Sequence, residues 1–261
     1  MLTITMRRYL LAPLLAALLL SVFCAVPAAR AADIAITGQV VGKNGATGID
    51  GTPVALEIAT AVGGKPEERT TTARADGSFR FDGFPYNDQA VYLLKGTYDG
   101  GLYFREVEFA AGTSSANVGA IEVYPATRDA AVISFPRLNT IFSSFDQNNN
   151  AQAIETGAYT NASDRAFVGA VQATNAMTVR FGLPQSALRV EPAQGLNRDT
   201  LVNLDEPPLT GFATIEAATP GEKSFAFIYR VETRGDALDL DRVFPYNTGL
   251  YPLYLPQNAR L

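Results

Sequence analysis

The side chains that could do chemistry in this sequence are mostly acidic, because it contains no histidine and a single cysteine, Cys24. The 261 residues include 26 acidic and 21 basic side chains, a formal net charge of −5. Without histidine there is no imidazole for acid–base catalysis, metal binding or a serine triad. An acidic chain without clustered lysine and arginine is a poor ligand for nucleic acid or anionic lipid. The composition therefore predicts no catalytic residue, no cofactor and no nucleic-acid partner.

The segment Asp146–Asn150 places oxygen-bearing side chains at alternate positions, as the start of a calcium loop does. A complete loop has glycine at its sixth position and a bidentate glutamate at its twelfth. The residues at those positions are Ala151 and Gly157. The pattern therefore favours an asparagine-rich hairpin turn over a calcium site.

A second acidic group contains Asp236, Asp239 and Asp241. On an extended strand, Asp239 and Asp241 would point to one face and could bridge a hard cation. Arg234 and Arg242 lie close enough in sequence to neutralise the group, and charged strand edges commonly prevent aggregation. We therefore expect a solvated edge here and no metal site.

Paired carboxylates for glycoside hydrolysis could come from Asp205–Glu206 and Glu216. Neighbours on an extended strand point to opposite faces, so Asp205 and Glu206 cannot both face one substrate. The residues Ser143–Ser144 and Lys223 lack the Ser-x-x-Lys spacing of a serine–lysine enzyme. The sequence therefore predicts that the protein is not an enzyme.

The aromatic residues offer a further candidate surface. The string Phe-Pro-Tyr-Asn occurs at Phe84–Asn87 and again at Phe244–Asn247. Tyrosine and asparagine on loops are typical of contact surfaces for proteins or sugars, although the absence of tryptophan weakens the sugar interpretation. The alternative is that tyrosines cap the core while their hydroxyl groups reach water. The tyrosines concerned are Tyr86, Tyr92, Tyr98, Tyr103, Tyr246, Tyr251 and Tyr254.

The elements that would position these residues are strands, because the hydrophobic period is two. Val54, Leu56 and Ile58 alternate with smaller or polar neighbours, and Asp76-Gly77 supplies a tight hairpin turn. No stretch carries a sustained helical stripe, so we predict an all-β chain of two tandem antiparallel sandwiches. The predicted strands lie near 34–41, 53–60, 69–74, 78–82, 89–95, 102–110 and 118–124, then 130–136, 139–146, 151–160, 177–182, 187–192, 211–217, 223–232 and 251–255.

The N-terminus has the pattern of a cleaved signal peptide. Arg7-Arg8 precede the apolar run Leu10–Val26, and Ala29-Arg30-Ala31 presents small residues to a signal peptidase. We expect cleavage before Ala32, which removes Cys24 with the leader. An exported chain without cysteine fits a bacterial periplasm or cell surface, and we expect no transmembrane anchor in the mature chain.

Strand count divides the remaining chain. Seven predicted strands through Tyr124 complete one sandwich, and Pro125–Asp129 forms a connector too short for independent tumbling. The prediction is a signal peptide at 1–31, a first sandwich at 32–125 and a second at 126–261. Residues 251–261 still have the pattern of strand and loop, which is compatible with a second domain truncated at its C-terminus.

The first sandwich carries a family resemblance. Ile36–Val41 forms a first strand, Gly51–Leu56 a "G-x-P-V" strand and Ala75–Phe81 an "ADGSFRF" hairpin, followed by Gly83-Phe84-Pro85. This ordered series over residues 34–124 resembles the carboxypeptidase regulatory-like domain, a transthyretin-like seven-strand sandwich. The resemblance implies that fold and an accessory role without catalytic activity.

The second half is similar to uncharacterised bacterial exported proteins, in which a regulatory-like domain precedes another sandwich and often a C-terminal membrane anchor. The similarity rests on Val123–Asp129, Asn161–Ser163, Phe181–Pro184 and Pro220–Glu222. This sequence shows no such anchor, which leaves either a truncated chain or a variant without it.

These features predict a non-enzymatic accessory or interaction protein of the bacterial envelope, binding a partner protein or a surface ligand. The alternative from another class is a carbohydrate-binding module stabilised by calcium. A glycan array with and without EDTA would separate the two.

Mass spectrometry of the exported protein tests the leader. We expect a mature chain that begins at or near Ala32, because the paired arginines, the apolar run and the Ala-Arg-Ala exit form a peptidase site. An intact mass that includes residues 1–31 would contradict this prediction.

Overall fold

The computed structural model describes residues 33–60, 65–145, 150–172, 175–206, 209–234 and 237–255. Regular structure in these ranges consists of strands and two short 3-10 helices, Ala130–Val132 and Arg198–Thr200. The predicted all-β class is confirmed. No helix in the described ranges is long and apolar enough to cross a membrane. The expected signal peptide at 1–31 lies outside the described residues.

The first half folds into seven strands in two sheets. The three-stranded sheet has the order β4-β1-β7 and the four-stranded sheet the order β3-β2-β5-β6. The strands are β1 (Asp33–Gly42), β2 (Pro53–Thr60), β3 (Glu67–Thr72), β4 (Ser78–Pro85), β5 (Ala90–Tyr98), β6 (Gly101–Glu106) and β7 (Ser115–Val123).

Alternating side chains from both sheets build the core between them. Leu56 and Leu94 of the four-stranded sheet are fully buried, as is Ile36 of the three-stranded sheet. Phe79 and Phe81 of β4 join the same buried cluster. The period of two in the sequence thus places one face of each sheet against the other, which makes this half a sandwich.

The second half contains the remaining strands. A six-stranded sheet has the order β15-β18-β10-β9-β21, with β22 also pairing with β9, and a three-stranded sheet has the order β14-β17-β16. The strands are β8 (Ala126–Thr127), β9 (Ile133–Phe145), β10 (Ala151–Asn161), β11 (Ala166–Phe167), β12 (Ala170–Gln172), β13 (Asn175–Met177), β14 (Arg180–Gly182), β15 (Ala187–Gln194), β16 (Leu201–Glu206), β17 (Leu209–Thr214), β18 (Gly221–Val231), β19 (Thr233–Arg234), β20 (Ala237–Leu238), β21 (Asn247–Leu250) and β22 (Leu253–Tyr254).

Phenylalanine rings fill the core of the second sandwich. Phe181 of β14 stacks on Phe212 of β17 at 4.7 Å between ring centroids. Phe212 in turn meets Phe227 of β18 edge to face at 4.9 Å. Such offset and edge-to-face contacts are the favoured geometries of aromatic pairs, so these rings join the two sheets of this half.

The strands differ from the sequence-based expectation in several respects. Residues 130–136 and 139–146 were expected as separate strands, whereas Ala130–Val132 form a 3-10 helix and β9 continues from Ile133 to Phe145 with a bulge against β10 near Pro136. The strand expected at 177–182 is divided between β13 and β14, the strand expected at 102–110 ends at Glu106, and β16 was not predicted. Most strand pairs are antiparallel, but β7 pairs with β1 in parallel, and both β21 and β22 pair with β9 in parallel.

A backbone hydrogen bond joins the two halves. The N–H of Ala217 donates to the carbonyl of Leu102 at 2.8 Å. Ala166 and Val168 belong to the buried cluster of the first half although they follow β8 in the chain. The division at 125/126 stays a prediction.

Gly77→Val and Gly45→Val form a matched pair of variants. Both glycines have a positive φ, +79° and +83°, but only at Gly77 would a Cβ collide, 2.2 Å from the carbonyl oxygen of Val40. Conformational strain costs on the order of 1 kcal/mol at either site, and overpacking adds about 1–3 kcal/mol at Gly77. We expect urea unfolding to show that Gly77→Val is less stable than Gly45→Val by about 1–3 kcal/mol, the cost of overpacking. Equal losses would contradict the hairpin assignment.

Candidate functional site

Of the acidic groups named from the sequence as metal ligands, the structure describes Asp239 and Asp241. Asp239 and Asp241 are exposed, and the N–H of Asp241 donates to Oδ1 of Asp239 at 3.1 Å. Among the described residues, no three acidic side chains lie close enough to hold a metal ion. Asp236 and residues 146–149 lie outside the described residues.

Arg242 was expected to neutralise those aspartates, and this prediction is wrong. Its guanidinium turns into the second sandwich and pairs with Glu155 of β10, Nη1 to Oε2 at 2.6 Å and Nη2 to Oε1 at 3.0 Å. The two side chains are 3% and 0% exposed. A buried carboxylate needs a cation and hydrogen bonds far more than a solvated aspartate does, so the arginine faces inward.

Other polar groups complete this buried network. The hydroxyl groups of Thr140 and Tyr229 lie 3.1 and 3.3 Å from Glu155 Oε2. Arg242 also donates to Tyr251 and to the carbonyl of Gly182. Desolvation opposes the charge of Arg242, but Glu155 outweighs it and raises the pKa of the arginine. Burial, reinforced by the charge of Glu155, raises the pKa of Tyr229. The charges of the network are paired in the core, while Nε of Arg242 is buried without a hydrogen-bond partner among the described residues.

Several tyrosine hydroxyl groups form hydrogen bonds with the backbone of neighbouring segments. The hydroxyl of Tyr98 donates to the carbonyl of Thr47 at 2.7 Å and accepts from its N–H at 3.0 Å. Tyr92 does the same at Asn87, and Tyr246 donates to Thr178 and accepts from the N–H of Arg180. Burial raises the pKa of Tyr103 and of Tyr246, each to about 12. The hydroxyl groups of Tyr92, Tyr98 and Tyr246 thus bond to the backbone, whereas the capping interpretation expected them to reach water.

The two Phe-Pro-Tyr-Asn strings occupy unlike environments. Phe84 is buried in the first core, and Tyr86 lies 6.3 Å from Tyr92 with parallel rings. Phe244 is 37% exposed, and Cζ of Arg242 lies 4.8 Å from the centroid of its ring. The strings are therefore not equivalent loops.

Glu216 is the one carboxylate of the hydrolase hypothesis whose side chain the structure describes. Its Oε2 accepts from Nζ of Lys223 at 2.8 Å. Asp205–Glu206 end strand β16, and their side chains, like those of Ser143–Ser144, lie outside the described part. Glu216 is therefore engaged by a lysine.

A cleft of about 560 Å³ lies between the two halves, with the Glu216–Lys223 pair in its lining. One wall is apolar and comes from Val91, Leu93 and Phe104 on the four-stranded sheet. The opposite wall is the polar turn 197–199, which follows β15. The sequence did not point to this cleft, because its residues come from strands that are far apart in the chain.

Local interactions fix the polar wall. Gly195 adopts φ +68°, and a Cβ there would lie 2.1 Å from the carbonyl oxygen of Ser224, so only glycine allows this close approach. Asn197 caps the 3-10 helix by accepting from the N–H of Asp199 at 2.9 Å. This geometry places Arg198 at the cleft, where no carboxylate of the described residues forms an ion pair with it.

Strand β6 borders the cleft with an open edge. Its antiparallel pairing with β5 is regular over all six residues. On the other edge, Leu102 forms an isolated parallel bridge with Glu216, in which the N–H of Ala217 donates to the carbonyl of Leu102, and the described residues supply no further pairing beyond it. Because the backbone alternates with a period of two, the N–H and C=O groups of Phe104 and Glu106 point to this same edge. Further cavities of about 420 and 440 Å³ flank the strand at Arg105.

Comparisons with known proteins add little to this geometry. No family model and no curated protein matches the chain. Similar solved structures include the major plantain pollen allergen Pla l 1, at 14% identity over 35% of this chain and 92% of the allergen, with a TM-score of 0.26. They also include two major pilins, SpaD from Corynebacterium diphtheriae (11% identity, 78% of this chain and 57% of the pilin, TM-score 0.25) and BcpA from Bacillus cereus (13%, 78% and 60%, 0.25). The chain spans less than two thirds of either pilin, and TM-scores this low carry no argument.

The variant Arg242→Met tests the buried pair. It leaves the Glu155 carboxylate without its cation in the core, which costs about 3–5 kcal/mol. We expect urea unfolding at pH 7 to show that loss, and we expect Arg242→Met/Glu155→Gln to lose less, because the double variant buries no charge. A single variant as stable as the parent chain would contradict the assigned role.

Proposed function

We propose that this chain is an exported, non-enzymatic interaction protein of the bacterial envelope that binds an extended segment of a partner protein along the open edge of β6. Export to the periplasm or cell surface is supported by the N-terminal pattern of Arg7-Arg8, the apolar run and Ala29-Arg30-Ala31. The accessory role is supported by the resemblance of residues 34–124 to the carboxypeptidase regulatory-like domain.

The observation that carries the proposal is the combination of the open edge with cavities on both sides of it. In strand addition, main-chain hydrogen bonds provide affinity and pockets for alternate side chains provide specificity. Phe104 lines the cleft and Tyr103 lines the cavity on the other side of the strand. An added strand would therefore present its successive side chains to two different pockets.

A binding role accounts for the cleft better than a catalytic role. Glu216 is tied to Lys223, and the chain has no histidine to act as a base beside a nucleophile. Glu106 and Asp199 also line the cleft, where carboxylates can accept hydrogen bonds from a ligand.

A carbohydrate ligand is the second candidate. It is favoured by the planar polar side chains of Asn197, Arg198 and Asp199, which lie across the cleft from the ring of Phe104. A sugar would use these side chains and the aromatic face, whereas a peptide would also need the backbone edge of β6.

Photo-crosslinking in producing cells distinguishes the candidates. A benzophenone amino acid replaces Phe104, and a matched chain carries it at Thr71 in β3, the opposite edge strand of the same sheet. We expect a discrete protein adduct from position 104 and none from position 71. No adduct from position 104, or equal adducts from both positions, would overturn the proposal, and a glycan adduct would favour the second candidate.

Glu106→Pro and Glu106→Ala separate the backbone from the side chain. Both variants remove the carboxylate, but only proline removes the N–H that points to the open edge. Glu106 is exposed and ends β6, so proline is tolerated there. We expect Glu106→Pro to lower the yield of the adduct at least ten-fold and Glu106→Ala to retain it. Equal yields from two folded variants with similar melting temperatures would show that no strand is added.

A further inference from the structure

A groove lies between two edge strands of the second half. Strand β15 is an edge of the six-stranded sheet, and β16 is an edge of the three-stranded sheet. The groove consists of two adjoining cavities of about 410 and 490 Å³, which share Arg189, Val190 and Asn203 in their linings. It is therefore formed along an open side of the second sandwich, away from the edge of β6.

The floor of the groove is largely apolar. Val190, Leu201 and the ring of Phe212 line the smaller cavity. The larger cavity adds Leu183 and Leu204, and both of these leucines are buried. An apolar floor with a few polar groups at its rim is the usual composition of a site for a small organic ligand.

Two arginines line the smaller cavity without a partner of their own. Arg189 belongs to β15, and Arg198 begins the second 3-10 helix. Neither guanidinium forms an ion pair with any described residue. Glu191 supplies the one carboxylate among the described lining residues, and it lies opposite Ile228 on the outer side of the sheet. The described lining thus carries more positive than negative charge, and its cations are available to an anion.

Arg189 is held in a backbone conformation that side chains rarely adopt. Its φ is +53°, and it lies where the pairing of β15 with β18 shifts register between Leu188 and Glu191. The other non-glycine residues of positive φ in the described chain, Asn44 and Asp99, have the short polar side chains that tolerate this conformation. A bulge redirects a side chain, and strain of this kind is concentrated at binding sites. The backbone of β15 thus indicates that the side chain of Arg189 is placed for a ligand.

We propose that this groove binds a small amphiphilic carboxylate, with its carboxylate held by Arg189 and Arg198 and its alkyl body on the apolar floor. A guanidinium recognises a planar carboxylate through two parallel hydrogen bonds. The register shifts and Pro192 make β15 unsuitable for pairing with an added strand, so an extended polypeptide is the poorer occupant. The site is separate from the strand-binding edge proposed above, although Arg198 also lines the cleft beside that edge.

Isothermal titration calorimetry of the mature chain with monomeric octanoate tests the ligand class. We expect saturable, stoichiometric binding. Octyltrimethylammonium has the same alkyl body with the opposite charge, and acetate has the carboxylate without the body, so each should bind at least ten-fold more weakly. Absence of octanoate binding, or equal binding of all three compounds, would overturn the proposal. Octyl phosphate examines the head group, and binding as tight as that of octanoate would contradict the assignment to carboxylates.

Arg189→Gly separates binding from folding. Glycine adopts a positive φ without strain, so this variant should melt no lower than the parent chain while it binds octanoate at least ten-fold more weakly. Arg198→Gln should weaken binding by a similar factor. Arg230→Gln, at an exposed position of β18 outside both cavities, is the matched control and should bind octanoate as the parent does.

Two outcomes of this series would overturn the site. A lower melting temperature of Arg189→Gly would show that the arginine serves the fold, and unchanged binding in the folded Arg189 and Arg198 variants would exclude the groove. Arg189 does not belong to the described lining of the cleft beside β6, and no partner protein is present in the titrations. Their result is therefore independent of strand addition at that edge.

Discussion

A fully buried carboxylate requires a cation, and this requirement organises the second half of the molecule. Glu155 obtains that cation from Arg242, which is 87 residues away in the sequence. Around the pair, Thr140 and Tyr229 supply hydrogen bonds, and Tyr251 bridges Thr140 and the arginine. The segment 239–255 is thereby fixed against β9, where β21 and β22 extend the sheet in parallel. Breaking such a pair costs much more than forming it yields, so the pair specifies where this segment lies.

The same pair determines what the outer face of the sheet exposes. Side chains alternate along a strand, so an inward Glu155 forces Ile154 outward. Ala151, Ala153 and Tyr159 of the same strand are buried and keep this phase. Ile228 of β18 also points outward, because its neighbours Phe227 and Tyr229 are buried in the core. Alternation therefore turns Ile154 and Ile228 to the outer face of the sheet, where each is partly exposed.

Local patterns made the strands predictable, and long-range pairing made the rest unpredictable. The strand at 53–60 and the turn at Asp76-Gly77 follow from alternation and from a glycine of positive φ, and both occur as expected. Glu155 shows what local patterns cannot predict, because the triplet Ile154-Glu155-Thr156 taken alone favours a glutamate that points to solvent. Arg242 was assigned to neighbouring aspartates for the same reason, since sequence proximity conceals a partner on a distant strand. The cleft beside β6 has no sequence signal, because its walls belong to separate elements.

The edges of the sheets differ in how well they are protected against pairing with another chain. Strand β3 presents Glu67, Glu68 and Arg69, and β15 combines register shifts with Pro192. Charge, bulges and proline are the devices that make an edge strand unsuitable for pairing. Strand β6 has no proline and no register shift, its charged residues Arg105 and Glu106 lie at its C-terminal end, and it places Phe104 beside a cleft. An edge that stays regular where its neighbours are interrupted keeps its hydrogen-bonding groups aligned, and this alignment is what an added strand requires.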